Sequence, residues 1–134
     1  MNSVKKICLI MLIVFSCSLL LNGCGKNEYK EFTEKFNNTY LDIVNSVDTI
    51  DTIGTLKNIQ SKENKSKIEE LGVLLDNIEN KVPRNKKDEY ERYVDWHKGL
   101  IILRDTPYSE WEKLTFEQKS NVWGEIILLN ISKK

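Results

Sequence analysis

The sequence contains no alanine, only two prolines (Pro83 and Pro107), three arginines and a single histidine, His97. Its three cysteines, Cys8, Cys17 and Cys24, all lie near the start. Each scarcity excludes something. With one histidine and no cysteine beyond residue 24, a zinc or copper site of imidazole and thiolate lacks ligands. No disulfide can form within the chain that follows, so that part must be held by packing. Basic and acidic residues balance at 20 each, and without a basic excess a nucleic-acid surface is not expected. Also missing are a phosphate-cradling glycine loop, a G-x-S-x-G elbow, a Cys–His pair and an EF-hand loop. The chain therefore reads as a non-enzyme that needs no cofactor. Lack of alanine is odd in a helical protein, because alanine is the best helix former. Alongside 17 lysines, 13 asparagines and 14 isoleucines, it reads as the composition of an AT-rich genome rather than a physical requirement.

What is present begins with an address. Lys5 and Lys6 precede an apolar run from Ile7 to Leu21, broken only by Ser16 and Ser18, and no acid occurs before Glu28. A basic start, an apolar run and a small-residue exit form a secretory signal. As a helix the run would span about 22 Å, short of the roughly 30 Å hydrocarbon core of a bilayer, so a permanent transmembrane helix fits less well. The exit, Leu21-Asn22-Gly23-Cys24, resembles a bacterial lipobox, with Asn22 where the motif usually carries Ala, Ser or Thr. A second frame, Val14-Phe15-Ser16-Cys17, fits worse and would leave SLLLNGCG exposed.

The resemblance covers residues 1–25 and is to the signal peptides of bacterial lipoproteins. It implies cleavage after Gly23 and a diacylglyceryl thioether on Cys24, which would hold the chain on the extracytoplasmic face of the cell membrane. Two acyl chains anchor where one does not, at about 0.8 kcal/mol per buried methylene. The expected organisation is a signal peptide over 1–23, a lipidated tether over 24–27 and a helical domain over 28–134. Loss of Lys5 and Lys6 would leave a small acidic excess. What remains is the size of one domain with one core.

From residue 28 to 60 apolar side chains recur at gaps of three and four: Tyr29, Phe32, Phe36, Tyr40, Ile43, Val47, Ile50, Ile53, Leu56 and Ile59. That is a helical stripe, with a break or bend expected near Gly54. SKENK, residues 61–65, reads as a polar turn. Ser66 and Glu69 then form a capping-box pattern ahead of Ile68, Leu71, Leu75, Ile78 and Val82. Pro83 should close that helix. A third helix is predicted from about Asn85 to Arg104, and Thr115 with Gln118 should open a last one. The predicted fold is all-α, a bundle of about four helices with mostly antiparallel neighbours. Phe36, Ile43, Leu71, Leu75, Ile78, Leu100, Ile101 and Ile126 are the predicted core.

Candidate sites are few. His97 falls inside the apolar arc of its helix and reads as a satisfied boundary residue. Asp88, Glu91 and Asp95 are interleaved with Lys87, Arg92 and Lys98, the pattern of a solvated face. Aromatic residues crowd between Tyr90 and Trp123. Tyr90, Tyr93 and Trp123 are expected in the core, whereas Tyr108 and Trp111 sit in the connection DTPYSEWEKL and are the candidate partner-binding residues. In an up-and-down bundle, VPRNKK and the terminal ISKK should both return to the anchored end. That would gather Lys26, Lys81, Arg84, Lys86, Lys87, Lys133 and Lys134 there, with DTPYSEWEKL at the opposite end. The function expected is protein interaction at the membrane surface, with a small-ligand-binding or cell-envelope enzyme-associated lipoprotein as the alternative.

Overall fold

The computed structural model describes residues 25–47 and 51–133. Every regular element in them is helical. The signal segment 1–23, Cys24, Ile50 and Lys134 lie outside the described residues. Five α-helices are present: α1 (residues 25–46), α2 (Thr52–Ile59), α3 (Lys62–Ile78), α4 (Lys87–Asp105) and α5 (Phe116–Ile131). Single 3-10 turns at Glu79–Lys81 and Arg84–Lys86 join α3 to α4, and a longer one at Tyr108–Lys113 leads to α5. None of the described helices is long and apolar enough to cross a membrane.

The bundle exceeds the predicted four helices because the first stripe is two helices. A new helix is capped at Asp51, three residues ahead of Gly54, in line with a break near that glycine. The Asp51 side chain accepts from the Gly54 backbone N–H at 2.6 Å and so opens α2. Capping by a short carboxylate outweighs the glycine's poor propensity, which costs less in a first turn than in a helix interior. Similarly, α3 starts a turn earlier than the Ser66–Glu69 pattern predicts. Ser61 is its cap, accepting from the Asn64 N–H at 3.2 Å. The gain is Asn64 itself, buried where its amide donates to Ser46 Oγ and to the Asn58 carbonyl, each at 2.8 Å. One side chain thus ties the ends of α1 and α2 to the start of α3. The Thr115–Gln118 capping box is present in full.

Helix directions follow from side-chain pairings. Ser46 meets Asn64 and Glu28 meets Lys81, so α1 and α3 are antiparallel. Tyr90 donates to the Leu75 carbonyl and His97 pairs with that of Ile68, so α3 and α4 are antiparallel too. α4 consequently runs parallel to α1, and their aromatic residues meet in order: Phe32 with Tyr90, Phe36 with Tyr93, Tyr40 with Trp96. α5 crosses α4 near Gly99, where Glu125 packs, and ends beside α1, where Ser132 meets the Tyr40 hydroxyl at 3.5 Å.

Of the eight predicted core residues, Phe36, Ile43, Leu71, Leu75, Ile78, Leu100 and Ile126 are buried, while Ile101 is only partly so. Gly72 has a packing reason. A Cβ there would approach His97 Cε1 to 3.1 Å, so the missing side chain lets the imidazole reach the Ile68 carbonyl at 2.9 Å.

Candidate interaction surface

At one end, α1 already has helical backbone at residue 25. Residues 25–27 of the tether expected over 24–27 are therefore part of α1. Gly25 lies beside the Lys81 carbonyl, the Glu28 carboxylate pairs with Lys81 at 2.5 Å, and the Tyr29 hydroxyl reaches the Lys86 carbonyl at 3.5 Å. Burial first, then the charge of Glu89, pushes the Tyr29 phenol far above its ordinary range, so it stays neutral. VPRNKK thus returns to the start of α1 as predicted. ISKK does not. The Lys133 ammonium donates to the Val47 carbonyl, at the far end of α1. The reason is the oblique course of α5, which carries its last turn along the second half of α1 instead of back to Lys26.

The opposite end holds DTPYSEWEKL. The Gln60 amide donates to the Leu103 carbonyl at 3.0 Å and also to that of Thr106, fixing the connection against α2. Tyr108 and Trp111 share one 3-10 turn, but their rings meet different helices. Lys57 of α2 sits 5.6 Å from the Tyr108 ring. Trp111 is partly buried against the core and meets Trp123 of α5 edge-on at 5.9 Å, with Lys119 at 5.7 Å from its ring. Trp123, expected in the core, is instead 41% exposed. Its helix buries Val122, Ile126 and Leu129. Residue 123 lies 100° round from 122, towards solvent.

Beyond Trp123, the outer face of α5 presents Phe116 (79% exposed), Ile127 (59%), Leu128 (55%) and Ile131 (62%). Trp123, Ile127 and Ile131 lie four residues apart along one stripe. Gly124 beside them has open space where a Cβ would stand. Exposed apolar residues grouped on one helix face are uncommon on a monomer and make this the candidate surface. The signal was in the sequence: EIILLNI is apolar on two sides of a helix, whereas one bundle core covers only one.

Between α4 and α5 lies a groove of about 250 Å³, walled by Tyr40, Trp96, Leu100 and Leu128 among others, with Arg92, Asp95 and Glu125 as its charged residues. Burial, and then the negative charge of Asp95, raises the Glu125 carboxyl above its ordinary value. Along the solvent side of α4, Glu91 and Asp95 are exposed, and Asp95 pairs with Lys98 at 3.4 Å. Among the described residues, no group of three or more His, Cys, Asp or Glu is placed to hold a metal ion. No protein-family model matches the sequence, and no curated protein or solved structure matches it either.

Proposed function

We propose that this protein is a lipid-anchored, extracytoplasmic interaction protein, held by a diacylglyceryl group on Cys24 and acting by binding rather than catalysis. The observation that carries the reading is the exposed apolar face of α5, from Trp123 through Ile127 to Ile131. Water contact with that much apolar surface is unfavourable at about 25 cal/mol per Å², so a partner that covers it gains most of its affinity there. The start of α1 supports the anchor, because the chain adjoining Cys24 is packed against basic residues of the Lys81–Lys87 corner.

Two measurements test the reading. Mass spectrometry of the membrane fraction should find an acylated peptide beginning at Cys24. A dominant intact peptide spanning Gly23 to Lys26 would remove the anchor. A photo-crosslinker at position 127 should then capture a discrete membrane or envelope protein in cells, whereas the same group at exposed Lys35 on α1 should not. Equal yields from both positions would remove the α5 face from the proposal.

A further inference from the structure

We infer that the groove between α4 and α5 binds an alkylammonium group, with the Glu125 carboxylate receiving the charged nitrogen and Trp96 and Leu128 flanking its carbon stem. The inference goes beyond the anchor and the stripe of Trp123, Ile127 and Ile131 and depends on neither.

Geometry carries it. Glu125 lies over a bare stretch of the α4 backbone. A Cβ at Gly99 would stand 2.1 Å from Glu125 Oε2, so the glycine leaves the space that the carboxylate fills. The groove walls are largely apolar: Tyr40, Trp96, Leu100, Leu103, Leu128 and Leu129. A half-buried carboxylate among such walls has lost part of its hydration and gains most from a cation that brings its own hydrogen bonds. Among the described residues, no ion pair joins Glu125 to Arg92, the one cationic residue of the lining, and the charge that acts on its carboxyl is the like-signed Asp95. Asp95 in turn is engaged by Lys98. At about 250 Å³ the groove is smaller than the roughly 300–1,000 Å³ of a drug-sized site. It suits one unbranched aliphatic chain ending in an ammonium, the shape of a small free amine or of a lysine side chain.

The test uses the full chain in detergent or nanodiscs, titrated with n-butylammonium while the indole N–H signal of Trp96 and the Leu128 methyl signals are followed by NMR. Saturable shifts at both residues are expected, with n-butanol and butyrate producing none. Glu125→Gln should weaken binding about tenfold or more, and acidification through the Glu125 titration should abolish it. The other groups facing that carboxylate, Asp95, Arg92 and Tyr40, stay in place in this variant. Its melting temperature should be no lower than that of the parent, which separates lost binding from lost folding. Equal shifts with n-butanol, or undiminished affinity in folded Glu125→Gln, would overturn the inference. A short lysine peptide and its norleucine counterpart distinguish the sources. Tighter binding of the lysine peptide than of n-butylammonium identifies a partner's side chain, and exclusion of that peptide identifies a free amine.

Discussion

Glu28 and Lys81, 53 positions apart, form an ion pair of 2.5 Å that fastens the start of α1 to the corner between α3 and α4. Both side chains are well exposed, so the pair is worth at most about 1 kcal/mol and matters chiefly as a marker of position. It places Lys26, Arg84 and Lys87, none of which has an ion pair among the described residues, around the point where the chain would leave the membrane. Each basic residue that reaches an anionic surface adds about 1 kcal/mol, less at higher salt. Vesicle co-sedimentation of the protein carrying Cys24→Ser should therefore rise with anionic lipid content. Arg84→Glu with Lys87→Glu should reduce it, and Lys133→Glu, at the other end of α1, should not. Equal losses from both ends would refute the arrangement.

Leu75 is buried between α3 and its neighbours, whereas Ile101 is only partly covered. Leu75→Ala should cost about 2–5 kcal/mol in denaturant titration. Ile101→Ala should cost less, because part of its side chain already meets water. A loss below about 1 kcal/mol for Leu75→Ala would contradict its placement.

Trp111 and Trp123 touch edge-on but differ in exposure. Trp111 packs on the core, so Trp111→Ala should lower the melting temperature by several degrees. Trp123→Ala should leave melting nearly unchanged and reduce crosslinking at position 127 to a partner, the pattern of an interface anchor worth about 2 kcal/mol or more. A reversal of the two effects would assign the binding role to Trp111, the residue the sequence favoured.

Glu125 makes stability depend on pH in a defined sense. Burial and Asp95 raise its carboxyl above the ordinary value in the folded state. The folded chain therefore holds that proton more tightly than the unfolded chain. Its stability contribution falls as pH rises from the ordinary carboxylate range through the raised one, which leaves a penalty on the ionised form. Glu125→Gln removes it, so the variant should melt higher than the parent at neutral pH. The difference should shrink towards nothing at about pH 3, where both chains are uncharged at this position. A difference that grows on acidification would show the opposite shift.

The helical phase was legible in the sequence because the gaps of three and four from Tyr29 to Val47 admit one buried face, and the capping box at Thr115 and Gln118 because it is local. The start of α3 was not. Ser61 and Ser66 are both competent caps, and the choice rests on Asn64 reaching Ser46, a contact between distant segments. The same limit applies to the site. Tyr108 and Trp111 were singled out for lying in a connection, yet Trp111 is recruited by the core. Tyr108 stays exposed, and the more exposed apolar side chains nearby belong to α5, whose apolar residues outnumber the places the core offers. Glu125 was not recognisable at all, since its setting depends on a glycine of another helix.

The parallel course of α1 and α4 has an electrical consequence. Peptide dipoles aligned along a helix leave about half a positive charge at its N-terminus and half a negative charge at its C-terminus. α1 and α4 point their dipoles the same way, and α3, antiparallel to both, opposes them. Within these three helices one dipole is left uncancelled, its positive end directed towards the Lys81–Lys87 corner, and Asp88 and Glu89 in the first turn of α4 offset part of it. Topology thus gives this three-helix group an axial dipole whose positive end favours a negative surface on the Lys81–Lys87 side.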